Sequence, residues 1–293
     1  MATATPHTFD TIKTRIQCSP PGTYRGAMDV LRQIIRNEGF FALYKGATPP
    51  AVGWAAIDSL LMGSLHNYRL FFLRHGLSEP VLGDPGQQRL TLFGHGVAGL
   101  FAGCTSTILA TPMEQLKVKL QLQAEKDVKL RQFSGPIDCA RKIICLQGVF
   151  GLWSGFMGSV AMRTNFFWMF LSFEVFMRGF SKLQNTPYEV STPAANFWSG
   201  GLASLVFWIM AIPADNVKNR MMAHPYPRPY SSQSLPIIRP SFVSVARQAY
   251  KAEGVSGLYR GLGTCIVRAF PANACALLVY ESIMCATGAE KIR

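Results

Sequence analysis

Acidic residues are scarce in this chain: 16 Asp and Glu stand against 29 Lys and Arg, and only 15% of its 293 residues are charged. Metal-binding and disulfide signatures are absent too. The seven cysteines (Cys18, Cys104, Cys139, Cys145, Cys265, Cys275 and Cys285) form no CxxC pair, which argues against a zinc site or a disulfide framework. They read instead as small buried hydrophobes. His66, His75 and His95 have no carboxylates or cysteines at ligand spacing, and no Gly-rich phosphate loop accompanies a strand. A membrane enzyme therefore has no residues to work with, and no metal or cofactor is expected. The N-terminus lacks the basic start and apolar core of a secretory signal.

What the chain does have is apolar length. Hydrophobic residues make up 49%, gathered with glycines into stretches over roughly 47–65, 91–112, 155–177, 193–213 and 262–287. Several approach the ~20 residues that span a ~30 Å hydrocarbon core. Buried helices of a soluble protein are rarely so long and so free of charge. The net charge of +13 crowds into segments between these stretches: Lys126, Lys129, Arg131, Arg141 and Lys142, then Arg239, Arg247, Lys251 and Arg260. Basic residues flanking apolar spans suit anionic lipid headgroups on one membrane face rather than nucleic acid.

The chain also repeats itself. Pro112-Met113-Glu114-Gln115-Leu116-Lys117 recurs 101 residues later as Pro213-Ala214-Asp215-Asn216-Val217-Lys218. A third copy, Thr8-Phe9-Asp10-Thr11-Ile12-Lys13, lies 104 residues before the first and lacks the proline. Glu38-Gly39-Phe40-Phe41-Ala42-Leu43-Tyr44-Lys45-Gly46 has echoes 109 and then 106 residues on, at Gln147–Gly155 and Glu253–Gly261. Two signatures with one period point to three copies of a two-helix module, at 1–76, 90–183 and 192–288. Each copy is expected to run from a small-residue-rich helix through the charged motif to a polar loop. A short amphipathic helix (27–37, 137–146 or 243–252), the Gly-containing turn and a second long helix follow. Gly94, Gly96, Gly99 and Gly103 in repeat two, and Gly200, Gly201 and Ala203 in repeat three, are expected to let helix backbones approach closely. The linkers near 76–89 and 184–192 read as polar loops. In repeats two and three 21 residues run from Thr91 and Thr192 to the motif proline, whereas seven precede Thr8. The first helix as written is therefore expected to be truncated, whether by a missing upstream exon or as a genuine variant.

With these residues in view, the chain resembles the mitochondrial carrier family, over essentially its whole length. Arg268-Ala269-Phe270-Pro271-Ala272-Asn273-Ala274, Ala211-Ile212-Pro213 with Asp215 and Lys218, and Phe9-Asp10-Thr11-Ile12-Lys13 are most similar to the carnitine/acylcarnitine and basic amino-acid branch. The resemblance implies an all-α, multi-pass protein of the mitochondrial inner membrane, a six-helix bundle around a central cavity that opens alternately to either side. It also implies a monomer, with cardiolipin-like anionic lipid at the matrix-side turns. The charged motifs would form a matrix gate, pairing Asp10 with Lys117, Glu114 with Lys218, and Asp215 with Lys13. Gln17 and Gln121 would brace it, with Met222 in the corresponding place of repeat three. Ionised groups inside a membrane normally face water or one another, and a ring of pairs that forms and breaks suits a switch. The opposite, cytoplasmic gate would use Arg69, Glu174 and Glu281. Met177 and Met284 replace its other bases and His66 its remaining acid, so Arg69 with Glu281 is the full pair expected. A gate this thin is expected to leave the protein resting open to the intermembrane space.

The same resemblance places substrate contacts halfway along the even helices. Counting seven residues on from the turn glycines gives Gly53, Met162 and Arg268, with Arg163 the charged neighbour in helix four. Asp58 could neutralise an arginine or receive a substrate ammonium group. Two arginines and an acid suit a small carboxylate-bearing solute such as a carnitine-like betaine or an amino acid, because guanidinium grips carboxylate in a bidentate fashion. Thr164 stands where acylcarnitine and ornithine carriers place an acid, which leaves an anionic oxo or dicarboxylic acid open. Trp54 and Trp208 read as packing residues first, with lining of the cavity as the alternative. The expected activity is exchange of a small metabolite. The competing reading is a non-transporting, carrier-derived membrane protein.

Overall fold

The computed structural model describes residues 4–19, 23–39, 48–81, 84–123, 132–183, 190–223, 241–267 and 269. Its helices are α1 (Ala4–Cys18), α2 (Ala27–Glu38), α3 (Thr48–Arg74), α4 (Leu92–Gln121), α5 (Pro136–Gln147), α6 (Phe156–Arg163), α7 (Phe166–Ser181), α8 (Thr192–Ala223) and α9 (Phe242–Leu258). Repeat two is described from end to end and shows how one module is built. The Thr91 hydroxyl accepts from the Gly94 N–H at 3.1 Å and caps α4. The helix then runs for 30 residues, through Pro112. A proline inside a helix deprives the carbonyl four residues earlier of its donor. That carbonyl, of Ile108, instead accepts from the indole Nε1 of Trp153 at 3.0 Å. Trp153 is the aromatic of the glycine-turn motif, so the two repeated signatures meet in one hydrogen bond.

The short helices dock against the motif helices in the same way three times. Ile12 packs with Val30 and Ile34, Leu116 with Cys139 and Ile143, and Val217 with Val245. Each first-named residue directly precedes a motif lysine, and its partners recur at the repeat period. Burial of such an aliphatic side chain contributes about 1.5–3 kcal/mol. The starts of α2 and α5 match as well, with Asp29 and Asp138 each accepting from the backbone N–H four residues earlier at 3.0 Å.

The long helices and a linker depart from expectation in three places. Two of them, Leu92–Gln121 and Ala194–Ala223, are by themselves long and apolar enough to cross a membrane. Helix α3 carries Asp58, Arg69 and Arg74, which lower its hydropathy. The fourth long helix is not continuous: it breaks at Thr164 and Asn165, whose side chains donate to the carbonyls of Ala161 and Met162. Finally, part of the linker between repeats one and two is a β-hairpin. β1 (Ser78–Val81) pairs antiparallel with β2 (Asp84–Leu90), setting Glu79 opposite Arg89. A period-2 pattern this short and polar carries almost no signal in sequence.

The glycines of α4 do permit close approach. A Cβ on Gly99 would sit 2.3 Å from Phe170 Cδ2 and 2.9 Å from the Phe166 carbonyl, and one on Gly103 would sit 2.6 Å from the Arg163 carbonyl. The α4–α7 seam therefore depends on them. Gly200 and Gly201 meet nothing within 4 Å among the described residues, so they do not serve such a seam there. We expect Gly99→Val to cost about 1–3 kcal/mol through overpacking. Gly63→Ala, on an exposed stretch of α3 with open space around it, is expected to be neutral or stabilising. Thermal midpoints in detergent check this, and equal midpoints for the two variants would refute the seam.

Candidate functional site

The three charged motifs converge at one end of the bundle. The Lys117 ammonium lies 2.6 Å from Asp10, Lys13 lies 2.7 Å from Asp215, and Lys218 lies 3.1 Å from Glu114. Lys218 is shared, with Asp215 at 3.0 Å one turn back on the same helix. Each motif puts its acid and base three residues apart, so they point in adjacent directions from one helix and reach the helices on either side. The structure thus joins α1, α4 and α8 in a closed ring of alternating charge.

Gln17 and Gln121 lie just beyond this ring. Gln17 donates to Asp215 at 3.4 Å and to the Arg260 carbonyl at 3.3 Å, and accepts from Asn219 at 2.6 Å. Gln121 donates to Thr11 at 3.3 Å and accepts from Thr14 at 2.9 Å, tying α4 to α1. In repeat three Met222 is fully buried and packs over Gly155, so contact there is apolar.

A second set of ion pairs, which the sequence reading missed, fastens the helix ends. Arg15 makes a bidentate pair with Glu38, and Arg220 lies 2.8 Å from Glu253, which also holds Arg260 at 2.8 Å. Burial pushes the Glu253 carboxyl up, but its hydrogen bonds from Arg260 and Arg220 outweigh this and hold it below the usual range. The signal was in the repeat: a base two residues after each motif lysine, and an acid opening the glycine turns of repeats one and three. Repeat two has Lys119 and Gln147 in these places, so no bidentate carboxylate pair can form there.

Above the ring is a cavity of about 340 Å³. Asp58 and Met162 both line it, as does Arg163. Arg163 is buried and donates to Ser106 Oγ at 3.0 Å and to Glu114 Oε1 at 2.9 Å, so it is also a fourth cation on the charge ring. Its Nε is buried without a partner among the described residues. Asp58 makes no hydrogen bond or ion pair among the described residues, although the charge of Arg163 reaches it. Gly53 does not line the cavity. Met113 lies over it, with Cγ 3.0 Å from where a Cβ would be, and Met113 forms the wall instead. Arg268 lies outside the described residues. Trp54 and Trp208, for which packing was the favoured role and cavity lining the alternative, both face the cavity. Lys13 sits 4.3 Å from the Trp208 ring centre and Lys117 6.0 Å from that of Trp54, within cation–π range.

At the other end of the bundle, Glu174 contacts side chains of its own repeat. Arg178, one turn on, donates at 2.8 Å, and His95 Nε2 is 3.8 Å away. Arg178 is the base missing at Met177, displaced by one residue and thus by about 100° around the helix. Arg69 stacks 5.5 Å from the Phe170 ring centre. Its expected partner Glu281 lies outside the described residues.

The family model described as mitochondrial carrier protein matches residues 1–76, 88–184 and 189–288. A Dictyostelium discoideum mitochondrial substrate carrier family protein L is 32% identical over 280 residues, covering 95% of this chain and 88% of the relative. An Arabidopsis thaliana mitochondrial carnitine/acylcarnitine carrier-like protein is 31% identical over 291 residues, 94% of this chain and 90% of its own length. The rat mitochondrial carnitine/acylcarnitine carrier protein is 29% identical over 285 residues, 94% and 86% respectively. With all three repeats matched and their charged motifs joined in one ring, the chain belongs to the mitochondrial carrier protein family, multi-pass transporters of the mitochondrial inner membrane.

Proposed function

We propose that this carrier exchanges a small zwitterion, an acylcarnitine-like betaine or an amino acid, by alternating access. One observation carries this reading: among the described residues, the cavity holds both a carboxylate with no ion-pair partner, Asp58, and a guanidinium with a spare buried donor, Arg163 Nε. A substrate ammonium would be drawn to Asp58, with the π-face of Trp54 nearby. Its carboxylate would be gripped by Arg163, and by Arg268 if that residue faces the cavity. The names of the rat and Arabidopsis relatives point to the same solute class.

The charge ring serves in this reading as the matrix gate, with Gln17 and Gln121 as its braces. A substrate carboxylate that takes the Arg163 guanidinium competes with Glu114 for it. Binding thereby loosens the tie between α6 and α4, which is the differential interaction a ligand needs to shift a two-state equilibrium. Substrate leaving on the matrix side lets Arg163 return and the ring close. We place anionic lipid at the turns beside α5 and α9, where Arg141, Lys142, Arg247 and Lys251 lie, and regard a monomer as sufficient for the cycle.

Counter-exchange into liposomes tests this reading, using the purified full chain and vesicles preloaded with carnitine, basic and neutral amino acids, or dicarboxylates. Exchange of zwitterions is expected. Asp58→Asn should raise KM at least about tenfold for them, the effect of losing one charge-assisted contact. Exchange of dicarboxylates alone, unaffected by Asp58→Asn, would make this an anion carrier. No exchange by correctly inserted protein would favour the non-transporting reading.

A further inference from the structure

The cavity above the charge ring has two unlike apolar sides. One is an aromatic shelf. Phe166 stacks on Phe207 with ring centres 5.1 Å apart, and Phe207 meets Trp208 edge to face at 5.3 Å. Phe207 and Trp208 are buried, and Met162 packs against their cluster. The Lys13 ammonium, 4.3 Å from the Trp208 ring centre, holds that ring from the side of the charge ring. Interlocked rings offer a solute a flat apolar surface but no extra room, because side chains packed to interior density do not shift singly.

The other side is a single methionine. Met113 on α4 lines the cavity and lies across Gly53 of α3. A Cβ at position 53 would meet Met113 Cγ at 3.0 Å, Cε at 3.1 Å and Sδ at 3.3 Å. The thioether thus runs its whole length over bare backbone. Methionine is unbranched and turns about three bonds, so its shape adapts to what lies beside it. Gly53 is buried, while Met113 above it is half-buried. Met113 also directly precedes Glu114, which Arg163 and Lys218 hold. Asp58 follows Gly53 by five residues on α3, about 7.5 Å along the helix axis. The methionine on its glycine therefore walls the cavity beside the groups that would hold the two ends of a zwitterion.

Alternating access adds a constraint of its own. A solute must be wholly enclosed as the mouth closes, and a tail projecting through the mouth would stop that closure. The cavity has about 340 Å³ and a fixed shelf on one side, so room for a tail has to come from Met113.

We propose that Met113, seated on Gly53, is a specificity-determining residue that sets how long an apolar chain the transported zwitterion can carry. A short chain lies along the aromatic shelf, and a long one is excluded. The inference rests on the zwitterion reading above and narrows it to compact betaines or amino acids, as against long-chain acyl esters.

Counter-exchange by the full chain in liposomes tests the limit. The probes are carnitine with its acetyl, butyryl and octanoyl esters, and straight-chain amino acids of matching lengths. The unsubstituted protein should favour the butyryl over the octanoyl length by at least about tenfold in kcat/KM, the scale on which apolar pockets separate chains by methylenes. Met113→Ala empties that side of the cavity and should erase most of this ratio. Gly53→Ala pushes the thioether into the cavity and should move the limit down, costing the butyryl length about tenfold against the unextended solute. The double variant should follow Met113→Ala, because nothing is left for the new Cβ to push. Ratios between chain lengths are the readout, so a general loss of folded protein cancels.

Both single variants slowing every length alike overturns the limit and leaves the zwitterion reading standing. Equal exchange of long and short chains by the unsubstituted protein does the same. Exchange of dicarboxylates with no zwitterion defeats the zwitterion reading instead. Succinate, adipate and suberate then take the place of the esters, and a length limit that neither variant moves overturns the role of Met113. No exchange of any series overturns transport and the limit together.

Discussion

Asp215→Asn should lower stability by about 3–5 kcal/mol, the cost of leaving buried charge without its partner, and stop exchange. Asp215 is 2% exposed and accepts from four groups: Lys13 at 2.7 Å, Lys218 at 3.0 Å, Asn219 at 3.2 Å and Gln17 at 3.4 Å. An amide of the same shape keeps some of these hydrogen bonds but none of the charge. Lys218 still has Glu114, while Lys13 loses the carboxylate that holds it in the ring. The thermal midpoint in detergent should fall by about 10 °C for a chain of this size. Asp10→Asn removes the ion pair to the more exposed Lys117 and should cost less. Combining Asp215→Asn with Lys13→Gln should recover part of the loss, because neighbours in one network are not additive. A smaller loss for Asp215→Asn than for Asp10→Asn would refute this account of the ring.

Arg163→Lys should lower kcat/KM for exchange by about 10–100-fold, the range for a lost hydrogen bond to a charged group, while leaving the fold intact. Lysine keeps the positive charge but not the planar fork. It cannot hold Ser106 and Glu114 at once and still offer a third donor to a substrate carboxylate. Glu114 would retain Lys218 at 3.1 Å and the Ser159 hydroxyl at 3.4 Å, so the ring should survive and the thermal midpoint should change little. Wild-type exchange by Arg163→Lys would mean that the fork is not used. A collapse in midpoint together with activity would mean that Arg163 is only a structural cation.

Both predictions start from residues that were visible before any coordinates. The acid-to-base spacing of three and the period near 100 marked the three motifs, and the resemblance to mitochondrial carriers implied the pairing of Asp10 with Lys117, Glu114 with Lys218, and Asp215 with Lys13. Repetition constrains geometry: three copies of one module around one axis leave each motif facing its neighbours. The packing of Ile12, Leu116 and Val217 beneath the short helices follows from the same register. Arg163 was harder to place, because a one-residue offset turns a side chain about 100° around a helix. Its two roles, as a wall of the cavity and as a tie to Glu114, became visible only with α4 beside α6.

Sequence by itself determined the repeat, the membrane class and the intramembrane charges Asp58 and Arg163, because these depend on periodicity and on the cost of ionised groups in hydrocarbon; the charged ring came from the resemblance to a carrier family. Tertiary structure decided what periodicity does not encode. It satisfied the carbonyl orphaned by Pro112 with Trp153 and broke helix four where Thr164 and Asn165 bond backward. It turned Trp54 and Trp208 toward the cavity and put Met113 over Gly53. It folded part of the 76–89 linker into a hairpin and gave Glu174 to Arg178 of its own helix. Each of these depends on which side chain is nearest in space, and hydrogen bonds and ion pairs act over only a few ångströms.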